Sequence, residues 1–133
     1  MKQLLLSITL LALMTSCVRS DASRQNQKQH QPERMSLTID FQTGFTGHWI
    51  QLKVGEEHVF AGAVTTDNRI GLAGRLRLTT PSVPRLPVTV TVDRTNRYPF
   101  QVSLERGSYL GLSRNLNDGS IHLAQNREPF VYD

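Results

Sequence analysis

Val88-Thr89-Val90-Thr91-Val92 alternates β-branched apolar residues with hydroxyl side chains over five positions. A period of two sends successive side chains to opposite faces of a pleated strand, so the three valines share one face and the two threonines the other. The same pattern recurs on both sides of this stretch. Leu37, Ile39 and Phe41 alternate with Thr38 and Asp40; Ile50, Leu52 and Val54 with Gln51 and Lys53; Phe100, Val102 and Leu104 with Gln101 and Ser103. Shorter apolar runs at 59–64, 72–78, 109–112, 121–123 and 130–132 are further strand candidates. Past residue 34 no apolar stripe of helical spacing reaches ten residues.

Turn chemistry divides these runs. Gly55-Glu56-Glu57 lies at hairpin spacing, and Asn117-Asp118-Gly119 carries the Asp-Gly pair that accepts positive φ. Residues 93–97 form another polar break. Pro81, Pro84 and Pro87 mark a connection, because proline cannot donate to a sheet ladder. Seven to nine short strands of this kind predict an all-β fold: an antiparallel β-sandwich, immunoglobulin-like or transthyretin-like, with a small closed barrel as the alternative. About a hundred residues can close a two-sheet core without disulfides.

The N-terminal quarter reads differently. Met1-Lys2-Gln3 precedes an apolar run from Leu4 to Met14, the pattern of a secretory signal and too short to span a bilayer. The single cysteine of the 133-residue chain, Cys17, ends this run. Leu13-Met14-Thr15-Ser16-Cys17 resembles the lipobox of bacterial lipoproteins, with Thr15 and Ser16 in the small-residue slots and Met14 where leucine is usual. The resemblance implies cleavage before Cys17 and acylation of its thiol and new amino group. Chains worth about 0.8 kcal/mol per buried methylene would then hold the protein to a membrane. Val18 follows the cysteine instead of aspartate, which by resemblance to Gram-negative lipoproteins favours the outer membrane.

Residues 18–34 (VRSDASRQNQKQHQPER) are nearly devoid of apolar side chains and read as a polar spacer. The expected organisation is therefore a signal peptide at 1–16, a lipidated cysteine and spacer at 17–34, and a β-sandwich domain at 35–133. The chain's net charge of +4 is concentrated ahead of that domain, which holds ten basic and nine acidic residues. The sequence pI of about 9.7 is thus no sign of a nucleic-acid surface. Gly107–Ser113 together with Pro129–Asp133 resembles the ending of small bacterial β-domains. The order of acylated cysteine, spacer and β-domain resembles that of pilotin lipoproteins.

Few residues suggest chemistry. His48, His58 and His122 show no HxH or HExxH spacing, and Cys17 is assigned to the anchor, so neither a metal site nor a cofactor is expected. No GxSxG or SxxK motif occurs, Glu56 and Glu57 are adjacent, and Asn115–Gly119 lacks the rest of a calcium loop. No catalytic residue is assigned, and the chain is read as a non-enzyme. Binding is better supported. Trp49 is out of phase with Ile50, Leu52 and Val54, so two placements are open: on the opposite side of that strand, where Tyr98, Tyr109 or Tyr132 could join it in a stacking platform, or filling the sandwich core or covering its edge. Arg75 and Arg77 flank Leu76 and form a cationic strip, able to bind an acidic partner or to guard a strand edge. The sequence therefore predicts a lipid-anchored accessory module of the cell envelope, binding a protein or glycan there through Trp49, Arg75 and Arg77. A carbohydrate- or peptidoglycan-binding module and a small envelope hydrolase are the alternatives.

Overall fold

A computed structural model describes residues 33–133. The expected leader at 1–16, Cys17 and the expected spacer as far as Pro32 lie outside them. Eight strands fold as a sandwich: β1 (Arg34–Phe41), β2 (Thr46–Val54), β3 (Glu57–Thr65), β4 (Gly74–Pro81), β5 (Leu86–Val92), β6 (Asn96–Val102), β7 (Tyr109–Arg114) and β8 (Ile121–Asn126). They form two four-stranded sheets, ordered β4-β1-β7-β8 and β3-β2-β5-β6. Every pairing is antiparallel but one: β1 runs parallel to β7, with Ile39 beside Leu110 and Phe41 beside Leu112.

The alternation in sequence becomes the core. Leu37, Ile39 and Phe41 meet Ile50, Leu52, Val88, Val90 and Leu110 between the sheets, all almost wholly buried. Removing a side chain of this size from water stabilises the fold by about 1.5–3 kcal/mol. Phe41 stacks obliquely on Phe60 of the opposite sheet with ring centroids 5.1 Å apart, and meets Phe45 edge-on at 6.1 Å. Phe45 comes from the β1–β2 connection. Thr66, just past β3, holds that loop inward: its hydroxyl donates to the Gln42 carbonyl at 2.7 Å and accepts from the Phe45 amide at 3.1 Å.

Three details depart from the expected strands. Phe130–Tyr132 is not a strand; it belongs to a tail after β8 with no ladder partner. Leu104 continues the alternation of β6 in sequence but sits in one turn of 3-10 helix, Leu104–Arg106. Pro87 lies inside β5 opposite Gln101, and its carbonyl accepts from the Gly55 amide, so a proline marks the first residues of that strand and not only the connection before it. β1 opens at Arg34, and the Ser82 amide donates to the Glu33 carbonyl.

Candidate functional site

The outer face of the β3-β2-β5-β6 sheet is built from the polar half of each alternating strand. Register sets its side chains in three adjacent cross-strand rows. Trp49 pairs with Ala63, and the β5–β6 turn closes that row. Ala61, Gln51, Thr91 and Arg97 make the second row; His58, Lys53, Thr89 and Pro99 make the third. Trp49 and Lys53 are four residues apart on β2, about 13 Å at roughly 3.3 Å per residue.

His58 owes its place to a β-bulge. Leu52 pairs with Phe60 and Lys53 with His58, so Val59 is left without a partner. A regular ladder would set Val59 beside Lys53 and turn His58 inward. The extra residue brings His58 onto the polar face while Phe60 stays in the core, the re-aiming that bulges commonly perform.

Trp49 stands on this face, half-buried, as its phase in the sequence requires. Its amide donates to the Asp93 carboxylate at 3.0 Å, and its carbonyl accepts from the Asp93 amide at 2.8 Å. Asp93 and Arg94 occupy the centre of a tight turn with φ of 50° and 66°, closed by the Thr95 amide donating to the Val92 carbonyl. Two consecutive side-chain-bearing residues at positive φ are strained, and Arg is poorly suited to that region. The strain carries the Arg94 guanidinium over the indole, 5.2 Å from the ring centroid. The indole N–H is buried and has no acceptor among the described residues.

The three binding candidates from the sequence do not form one site. Arg75 and Arg77 project from β4, the edge of the other sheet, and face outward as their alternation implies. Arg75 is bound there: its Nε and Nη2 donate to Asp40 at 2.7 and 2.8 Å. Asp40, only 1% exposed, sits on the outer side of β1 and also accepts from the Tyr132 hydroxyl at 2.7 Å; Gln42 donates to that hydroxyl at 3.0 Å. The carboxylate raises the Arg75 guanidinium above its ordinary pKa. Burial above all, with the Asp40 carboxylate adding, pushes the Tyr132 phenol up to about 12. Arg77 lies opposite Thr38 and is exposed.

No tyrosine joins Trp49. Tyr132 is engaged with Asp40, Tyr109 lies on β7 in the other sheet, and Tyr98 turns inward opposite Val90, its hydroxyl donating to the Gly119 carbonyl at 3.2 Å. The expected aromatic platform is therefore replaced by a tryptophan stacked with an arginine. The histidines stand apart: His48 lies against Phe45, His58 on the polar face, His122 on β8. Among the described residues no three His, Cys, Asp or Glu side chains converge as metal ligands.

Two concavities have different chemistry. On the polar face, Gln51, Lys53, His58, Thr89, Thr91 and Arg97 line a depression of about 160 Å³. Between the ends of β3 and β4 lies an apolar cleft of about 430 Å³, walled by Val54, Val59, Leu78, Val83 and Leu86. Alternation alone marks Gln51, Lys53, Thr89 and Thr91 as outward. Only the pairing of their strands puts them together, and the bulge at Val59 and the positive-φ turn at Arg94 leave no plain mark in the sequence.

No family model matches the chain, and no curated protein matches its sequence. Among solved structures it is similar to CBM25-2 and CBM25-1 of a beta/alpha-amylase from Paenibacillus polymyxa. Each has a TM-score of 0.48 and 12% identity, over 71% of this chain and 95% of that one. It is also similar to an iodinated CBM25 from a Bacillus halodurans amylase, solved in complex with maltotetraose, with a TM-score of 0.33 and 17% identity over 66% of this chain and 95% of that one.

Proposed function

We propose that this chain is a lipid-anchored binding module of the cell envelope. Cys17 carries the anchor, and the outer face of the β3-β2-β5-β6 sheet recognises an envelope component without transforming it. The observation that carries the reading is the Trp49–Arg94 stack at the head of the polar face, raised on a turn whose backbone is strained. Strain of about 1–3 kcal/mol per residue persists where the surrounding structure enforces it, and such positions cluster at binding sites. Tryptophan and arginine are also the side chains that most often dominate recognition energy.

The test is photo-crosslinking in native membranes, with a photoreactive residue at exposed Ala63 beside Trp49. The otherwise unaltered chain is expected to fractionate with membranes and to yield a discrete crosslinked envelope component. Trp49→Ala should remain on the membrane and lose that product. Retention of the same product at the same yield would move the recognition surface off this face. Metabolic labelling with a fatty acid, present in the wild type and absent in Cys17→Ala, tests the anchor separately.

A further inference from the structure

We infer that the depression between the second and third rows of the polar face is a subsite for an acidic sugar: a saccharide unit carrying an anionic group, seated beside the unit that meets Trp49. The inference rests on the proposed binding role of this face and names its ligand class.

All four strands of the sheet contribute to the wall. β3 supplies His58, β2 supplies Gln51 and Lys53, β5 supplies Thr89 and Thr91, and β6 supplies Arg97. Two of these six side chains, Lys53 and Arg97, are cations, and none is a carboxylate. The nearest acidic partner is Glu56, 3.6 Å from Lys53 and 96% exposed, a pair worth well under 1 kcal/mol in water. His58 and Arg97 form no ion pair among the described residues. Arg97 is therefore unpaired and Lys53 only weakly paired at the edge of a concave polar floor, which favours an anion.

The remaining lining distinguishes a sugar from an acidic protein. Gln51, Thr89 and Thr91 offer one amide and two hydroxyls, which donate and accept side by side as a polyhydroxylated ring requires. The depression contains no apolar side chain. Protein interfaces, by contrast, have an apolar centre in which lysine is scarce, and threonine is under-represented among the residues that carry their energy. The 13 Å from Trp49 to Lys53 exceeds one sugar ring, so the Trp49–Arg94 stack and the cationic depression suit successive units of an oligosaccharide.

The full-length chain in detergent can be titrated at low salt with a short oligogalacturonate, with the same oligosaccharide after carboxyl reduction, and with an oligoglutamate of equal charge. Trp49 fluorescence and calorimetry are the readouts. The oligogalacturonate is expected to bind about tenfold more tightly than the other two, and to weaken as salt is added. Arg97→Gln and Lys53→Gln should each reduce that affinity about threefold to fivefold, leave binding of the reduced form unchanged, and leave the melting temperature unchanged, because neither side chain is in the core. Equal binding of the reduced form would overturn the acidic subsite while leaving the face a binding surface. Equal binding of the oligoglutamate would make it an acidic-peptide site instead. Absence of oligogalacturonate binding would overturn the assignment, with crosslinking beside Trp49 deciding independently whether this face binds at all.

Discussion

At Arg94 the chain holds a charged residue where the backbone calls for glycine or asparagine. Its φ of 66° follows an Asp93 at 50°, and no glycine occurs in the turn between β5 and β6. Asp93 is suited to its place, because aspartate tolerates this region and its carboxylate accepts from the Trp49 amide. Arg94 has no such backbone reason; what its position achieves is the stack on Trp49. Stability and recognition should therefore move in opposite directions on substitution. Arg94→Gly is expected to stabilise the fold by about 1 kcal/mol, because glycine adopts positive φ without steric cost, partly offset by the greater freedom it gives the unfolded chain. The same variant should lose ligand affinity by several-fold. Urea unfolding measures the first and titration the second. A destabilised Arg94→Gly would show that the cation–π contact outweighs the strain and that the turn needs no functional explanation.

Among the elements, the tail after β8 is misassigned throughout by the alternation. Phe130, Val131 and Tyr132 look like a strand, yet Tyr132 lies over Asp40 and Arg75 on the outer side of the β4-β1-β7-β8 sheet. Periodicity locates apolar and polar side chains but says nothing about a residue whose partner is a carboxylate ninety-two positions away. Asp40 itself reads as an outward polar residue of β1, and it is outward, but its burial comes from Arg75 and the tail. The core strands were legible because their inward faces are uniformly apolar. The Val59 bulge and the tail were not, because each is fixed by pairing across the molecule. The tail contact has a pH signature. An unfolded tyrosine releases its proton near 10.0, whereas Tyr132 in the fold holds it to about 12. Between those values the unfolded state binds fewer protons, so the stability this contact supplies is complete below pH 10 and is lost as pH rises through 12. Tyr132→Phe is expected to lower stability at pH 8 and to flatten the decline between pH 10 and 12, as measured by urea midpoints across that range. An unchanged slope in the variant would show that Tyr132 is not the group responsible.

For the whole molecule, the sandwich separates two kinds of outer surface. On one sheet Asp40, Arg75, Gln42 and Tyr132 satisfy one another and hold down the tail. On the other, Arg97, without an ion pair among the described residues, and Lys53, with only the exposed Glu56, border a depression beside His58. A closed network consumes its own hydrogen-bonding capacity, whereas an open one leaves it for a ligand, so Arg75 of β4 serves the fold while the proposed recognition falls to the Trp49 face. The buried core from Leu37 to Ile121 lies within the described residues and needs no lipid. Cys17→Ala is therefore expected to retain the wild-type melting temperature and the wild-type affinity for a soluble ligand. Confinement to a surface raises the effective concentration of two membrane-bound partners, to about millimolar for short tethers, and can strengthen capture by about a hundredfold without a new contact. The same substitution should thus reduce crosslinking to the envelope component by a comparable factor. Equal crosslinking of the released and membrane-bound forms would mean that recognition proceeds without confinement, and a lowered melting temperature would mean that the N-terminal region contributes to the fold itself.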